Sequence, residues 1–505
     1  MNPSTARPHV VIVGGGIAGL AAAFFLRDEK ARVTVLEGSP QLGGKLSVSE
    51  VAGVAVDEGA EALLVTRPEG IGLIDQVGLA GDRVEPGTTS SAIWTLGALR
   101  PLPRRQFRGV PSDLAELARS GVVSAEGAAR ASQDLELPPS MRDGDVPVAD
   151  YVGARFGVEV VDRLVDPLLG GVYAGRSGDL SFDATMPALA AAARRYRSLA
   201  EAAGSLLPPP VPVTGQDQAP AGTRSGGSVF TTLTGGLGLL PSFLAKTSGA
   251  EVRTASMTRV LSPAPAAPGA EPGWRLTVGS AAAEGLIDAD AVILAVPARP
   301  AARLLAEVPG ASAAVTALGE IGYASMAIVT LAYPRSAFPG AHPGGGLAAL
   351  GWSGYLVPAV DRRAVKAVTF STVKWPHLAD PTAPGAEPLE IVRCSIGRMG
   401  EEALLQRPDE DLAVLAAAEL AAATGVRGVP VAHRISRWGG ALPQYTVGHL
   451  DRVARIRAAI AAQPGLAVCG AAYDGVGIPA CIATARAAAV QVTEYLRHSR
   501  EWSHG

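Results

Sequence analysis

Glycines set between an apolar strand and an apolar helix, with a carboxylate closing the next strand, can hold a diphosphate and a ribose. Near its start the chain reads His9-Val10-Val11-Ile12-Val13, then Gly14, Gly15, Gly16, Ile17, Ala18 and Gly19, and Glu37 ends the next apolar run, Arg32 to Leu36. Gly14, Gly16 and Gly19 have the GxGxxG spacing, which permits a tight turn and lets backbone and a helix N-terminus approach a pyrophosphate, while Glu37 can accept a ribose hydroxyl. The glycines alone are a weak signal. Their register with a strand at Val10–Val13, a helix from Ile17 to Leu26, a second strand and a terminal acid makes a dinucleotide site the expectation.

The stretch Glu37-Gly38 through Gly43-Gly44-Lys45, and then Val56-Asp57-Glu58-Gly59-Ala60, adds a second glycine pair that nicotinamide domains do not usually carry. It resembles the FAD fold of the glutathione-reductase and amine oxidase type. That resemblance places Gly44 and Lys45 beside the flavin diphosphate and the Gly59, Ala60, Glu61, Ala62 turn near the isoalloxazine ring. One GxGxxG with no second nucleotide fold argues for an oxidase or desaturase over an NAD(P)H-dependent disulfide reductase.

Several elements must bring these groups together. The 505 residues suffice for about three domains' worth of core, and 48% hydrophobic against 18% charged residues describes a globular chain. The net charge of −3 implies no polyanion, so no nucleic acid partner is expected. Cys394, Cys469 and Cys481 are widely spaced, with no CxxC and no histidine cluster, so the reading is a reduced, cytoplasmic protein with no metal. The apolar start carries glycines at turn spacing and lacks a basic leader region, so neither a targeting segment nor a spanning helix is expected.

The expected fold class is α/β: a discontinuous Rossmann-like FAD-binding domain with an α+β substrate domain and a helical insertion. In chain order these are a first FAD-binding segment (1–87), a helical insertion (88–204), a mobile loop rich in Pro, Gly and Ser (205–228), a second FAD-binding segment (229–300), a mixed-sheet substrate domain (301–428) and a closing FAD-binding segment (429–505). Strands are expected at Gly249–Arg253, Trp274–Val278 and Ala291–Pro297 in the second FAD-binding segment, and at Ile321–Tyr333, Lys366–Val373 and Leu389–Ile396 in the substrate domain. A helix is expected from Asp409 to Thr424, acidic in its first turn and stopped by Gly425. Leu466–Gly470 leads through a glycine turn into a long helix from about Ala480, whose positive end can face a reduced flavin.

Four blocks then resemble the oxygen-dependent porphyrinogen oxidases. They are Gly59 to Pro68, ending Arg67-Pro68; Asp166 to Arg176, containing Gly171-Val172-Tyr173-Ala174-Gly175; Ala441 to His449, containing Pro443-Gln444-Tyr445; and Cys469 to Ile482. The match spans nearly the whole chain and is most similar to the soluble bacterial type that oxidises coproporphyrinogen III to coproporphyrin III, with protoporphyrinogen IX oxidases as the alternative. The resemblance implies non-covalent FAD, O2 as acceptor, H2O2 as product and a place in haem biosynthesis. Peripheral contact with the inner face of the membrane, and transient contact with later haem-pathway enzymes, stay open.

The same resemblance implies a substrate site of Arg67, pairing with a propionate, Gly171 and Gly175, allowing backbone to approach the macrocycle, and Leu356, packing on a pyrrole. It implies further flavin contacts at Val252, through its backbone, at Trp438, and at Val476, Gly477 and Ile478. No side chain is expected as the catalytic reagent, because the cofactor carries the difficult step. Tyr445 and His449 are read as structural, and Arg100, Arg104, Arg105 and Arg108 as a solvated face. Lys45 replaces the arginine of many relatives, keeping the charge but losing the fork, and Ala485 replaces a common glycine. A flavin amine oxidase, a carotenoid desaturase and a non-catalytic flavin scaffold are the rival readings.

Overall fold

The structure, a computed structural model, describes residues 7–139, 144–209, 228–265, 273–280, 283–339, 346–379 and 387–502. The first strand is His9–Val13, buried throughout. Val10 and Ile12 enter one core and Val11 and Val13 another, as a strand covered on both faces requires. This strand pairs in parallel with Arg32–Leu36 and with Ala291–Leu294, and Glu251–Arg253 and Leu466–Val468 complete a five-stranded parallel sheet. The helix Ile17–Phe25 presents buried Ala21, Ala22 and Ala23, small enough for close packing with the terminal helix Ile478–Trp502. Distant segments of the chain thus share one α/β nucleotide sheet.

A seven-stranded sheet lies beyond it, in the order Ala432–Pro443, Tyr323–Pro334, Leu389–Ile396, Val365–Phe370, Gly354–Leu356, Ala92–Thr95 and Ala98–Pro101. The Asp409–Thr424 helix joins the core on this sheet through Leu412, Ala416 and Leu420. Helices between Leu114 and Gly204 gather around a third core containing Val152, Leu164, Phe182 and Leu189. No described helix is long and apolar enough to cross a membrane. The three cysteines are free and buried.

Several boundaries differ from expectation. The 88–204 segment is not helical at its start: Ala92–Thr95 and Ala98–Pro101 form a hairpin on the edge of the large sheet. Its turn holds Leu96 and Gly97 at φ 52° and 74°, the left-handed pair that matches strand twist. The 301–428 sheet domain begins instead with helices Ala298–Leu305 and Ser312–Gly319, which bury against the nucleotide-sheet core, and the sheet runs past residue 428 to Pro443. Trp274–Ser280 belongs to a separate antiparallel sheet with Thr258–Pro263 and Ala283–Ala289, where Trp274, Leu276 and Val278 alternate inward. Most of the expected 205–228 loop, residues 210–227, lies outside the described residues.

Candidate active site

A cavity of about 470 Å³ opens between the nucleotide sheet, the large sheet and the helical body. Gly16, Ile17 and Ala18 form one wall, with Lys45, Gly59, Ala60 and Ala62 beside them. Trp438, Met326 and Ile328 come from the large sheet, Val476, Gly477 and Ile478 from the start of the terminal helix, and Gly171 and Val172 from the helical body. The pairing of Tyr323–Pro334 with Ala432–Pro443 shifts register between Ala324 and Met326, and beyond the shift Met326 stands opposite Trp438.

The glycine wall is specific. Gly14 has φ +113°, and a methyl there would lie 2.6 Å from the Ala295 carbonyl oxygen. A methyl on Gly19 would lie 1.9 Å from the Gly14 oxygen, so helix and strand can touch only through glycine. A methyl on Gly16 would instead meet nothing nearer than Gly44 Cα, at 4.0 Å. Space therefore opens at the N-terminus of Ile17–Phe25, where no side chain caps the first N–H groups. Lys45 lines the same space, its ammonium without a hydrogen-bond or ion-pair partner among the described residues, and burial lowers its pKa. Donors and one cation facing an open cleft fit a diphosphate.

Gly14, Gly15, Gly19, Glu37, Gly38, Gly44 and Val252 do not line the cavity itself. The Glu37 carboxylate accepts the Gly15 and Ser39 N–H groups, each at 2.7 Å, so backbone orients it at the strand end. Gly38 lies against Met257, and Val252 is registered with Val35.

Glu61 departs from its expected role as a cofactor contact. Its carboxylate pairs with Lys374 at 2.7 Å and with Arg393, and Arg393 also donates to the Gly59 carbonyl at 2.6 Å. Although burial opposes its ionisation, the two cations hold its pKa down at about 2. The pair of residues flanking it, Ala60 and Ala62, faces the cavity while Glu61 clamps the turn to the large sheet. Trp438 adds a bond from Nε1 to the Glu58 carbonyl, 3.0 Å. Sequence reasoning missed Arg393 and Lys374. The signal was an arginine inside the apolar strand Leu389–Ile396, which requires a buried carboxylate.

Residues 17–493 match the family described as flavin containing amine oxidoreductase. The chain belongs to the flavin-containing amine oxidoreductases. It is 36% identical over 490 residues to coproporphyrinogen III oxidase of Mycobacterium tuberculosis, covering 96% of this chain and 97% of that protein. It is 30% identical over 502 residues to coproporphyrinogen III oxidase of Bacillus subtilis, covering 98% and 99%. A crystal structure from Exiguobacterium sp. 255-15, provisionally named a protoporphyrinogen oxidase, shares 28% identity and a TM-score of 0.80, with 97% of this chain and 100% of that one covered. This flavin-containing oxidoreductase uses FAD, which suits the glycine wall and the unpaired Lys45.

In this flavin amine oxidoreductase two of the specific blocks interlock. Gln444 Nε2 donates to the Tyr173 carbonyl at 2.7 Å and to Leu442 at 3.0 Å. A methyl on Gly175 would lie 2.1 Å from Gln444 Oε1. Gly175 therefore makes room for Gln444 and does not line the cavity, whereas Gly171 does. Leu356 sits behind that rim, its Cδ2 3.6 Å from where a Gly171 methyl would be.

Tyr445 and His449 are spent inside the fold. Their rings stack at 3.8 Å, Tyr445 donates to the Ala471 carbonyl at 2.7 Å, and His449 Nε2 lies 3.0 Å from the Tyr473 carbonyl. Burial lowers the His449 pKa from 6.5 to about 4. The native state thus binds fewer protons than the unfolded chain between these values, and stability falls as pH drops from 6.5 to 4. The full loss is about 3 kcal/mol. Urea titrations across this window are expected to show a steeper acid loss for the wild type than for His449→Phe; equal slopes refute the assignment.

Arg67 is half-exposed, pairs with Glu69 at 3.0 Å and does not line the cavity. The basic run is tied locally: Arg105 donates to the Pro208 carbonyl at 2.6 Å and Arg108 to that of Thr185 at 3.1 Å.

Proposed function

We propose that the protein oxidises coproporphyrinogen III to coproporphyrin III with O2 as acceptor and H2O2 as product. The near full-length likeness to coproporphyrinogen III oxidases carries this reading. Bound FAD supplies the two-electron oxidising chemistry. Removing six hydrogens from the macrocycle takes three such oxidations, and three O2 become three H2O2. Gly16–Ala18, Lys45, Gly59, Ala60, Ala62 and Val476–Ile478 would hold the cofactor, with Glu37 for its ribose, Val252 for its adenine and Trp438 for its ring system.

The chain's own work is binding, orientation and exclusion of water. Apolar Met326, Ile328, Leu442 and Ile478 dry the cavity. Gly171 lets the macrocycle approach backbone, Leu356 backs that contact and Gly175 preserves it through Gln444. Protons leave through pyrrole N–H tautomers, so no strong base is needed, in keeping with a neutral His449 held away from the cavity. The aromatic residues lining the cavity are Tyr323 and Trp438, and the Tyr323 hydroxyl accepts the Ala298 N–H at 2.8 Å. That lining suits the hydrocarbon faces of a non-planar tetrapyrrole better than an amine. With three buried free thiols, the reading places the protein in the cytoplasm.

Coproporphyrinogen III given to the flavin-loaded protein under air is expected to yield porphyrin fluorescence and three peroxides per porphyrin, well above the spontaneous rate. No excess over that rate refutes the proposal. Arg67 serves as a propionate anchor by exchanging Glu69 for substrate, so Arg67→Ala is expected to raise KM about tenfold while changing kcat little. Steady-state kinetics with an unchanged KM remove Arg67 from that role.

A further inference from the structure

Lys366 lies in the strand Val365–Phe370 and is only 3% exposed. Its Nζ donates to the Gly170 carbonyl, 3.3 Å away, in the last turn of the helix Asp166–Tyr173. The next two residues, Gly171 and Val172, are the cavity rim. Beside Lys366 stands a second buried cation, Arg398, which donates to the carbonyls of Arg363 at 3.0 Å and Val357 at 3.1 Å.

Counter-charge is scarce there. Glu401 lies 3.6 Å from Arg398 and is one-third exposed. Glu419 is occupied by the N–H groups of Ala364 and Val365, at 3.0 and 2.9 Å, and Asp361 faces Arg163 at 3.3 Å. Among the described residues no carboxylate pairs with Lys366. A buried cation lacking a partner is costly, and an anion arriving nearby relieves that cost.

We infer that Lys366 is a positioning residue for substrate: it fixes the Gly171–Val172 rim and puts an uncompensated positive charge behind it, so that the rim favours a ligand carboxylate. This rests on the tetrapyrrole reading and adds a determinant for the number of carboxylates. It acts through the helix end, not by touching the ring. Burial, with Arg398 adding to it, lowers the Lys366 pKa from 10.5 to about 7, so the charge fades as pH rises past neutrality.

Equilibrium binding of coproporphyrin III to the oxidised, flavin-loaded protein tests this without turnover, with the tetramethyl ester as a carboxylate-free control. The wild type is expected to bind the tetra-acid about tenfold more weakly at pH 8.5 than at pH 6, the size of one charge acting through a partly polar interior. The ester's affinity stays constant. Lys366→Met, which removes a buried unpaired charge and so is expected to fold, should bind the tetra-acid weakly at both pH values and the ester as the wild type does. A tetra-acid affinity indifferent to pH and to the substitution overturns the inference, and so does equal weakening for acid and ester, the mark of a structural role alone. Pronounced carboxylate-dependent binding with no oxidation of coproporphyrinogen would overturn the proposed activity and leave the inference standing.

Discussion

Gly19→Ala is expected to yield a colourless protein. The added methyl would sit 1.9 Å from the Gly14 carbonyl oxygen and 3.2 Å from Ala295 Cβ, and both the oxygen and its carbon belong to backbone that other contacts hold. The Gly14 N–H donates to the Leu36 carbonyl at 2.8 Å, so the strand end cannot retreat without breaking the nucleotide sheet. The helix must move instead, carrying away the N–H groups at Gly16–Ala18. Overpacking of this kind costs about 1–3 kcal/mol or more. Absorbance near the flavin bands, set against protein absorbance, checks the outcome. Wild-type flavin content in the variant would show that helix and strand are not held at this distance.

Glu61→Ala is expected to be strongly destabilising. It leaves Arg393, 7% exposed at its side chain, and Lys374, 19% exposed, facing each other without a carboxylate. Removing one partner of a buried ionic cluster costs about 3–5 kcal/mol, more than the cluster is worth against an apolar replacement. The Glu61→Leu/Arg393→Met pair is accordingly expected to cost less than the sum of its single changes, measured by urea denaturation. Strict additivity, or a loss below about 1 kcal/mol for Glu61→Ala, would remove the clamp. Acid has the same target. The Glu61 pKa of about 2, below its usual 4.5, gives stability that is full above 4.5 and is lost as pH falls through 2.

Local chemistry was legible and distant pairing was not. The strand, glycine turn and helix at His9–Phe25 could be read because each signal sits within a few residues of the next. The helix Asp409–Thr424 was readable to its ends, since acids mark its start and Gly425, at φ +73°, its stop. The Ala92–Pro101 hairpin was not, because its sheet partner, Tyr355, lies far along the chain and its turn puts a leucine in the left-handed region where glycine or asparagine is the usual cue. Glu61 looked like a cofactor contact for a related reason: its neighbours do face the cavity, but its own partner lies 332 residues away. Arg67 was the appropriate residue type for an anchor, yet composition gives no hint that Glu69 holds it in the absence of substrate.

The nucleotide sheet has a consequence for biosynthesis. Its first strand is flanked by Arg32–Leu36 and Ala291–Leu294, and the latter is completed only by Leu466–Val468, far downstream in the chain. The last helix then supplies Val476–Ile478 to the cleft and packs on the first helix. A nascent chain on the ribosome therefore cannot assemble its cleft until Leu466–Ile478 have emerged, and cofactor is taken up only after that point.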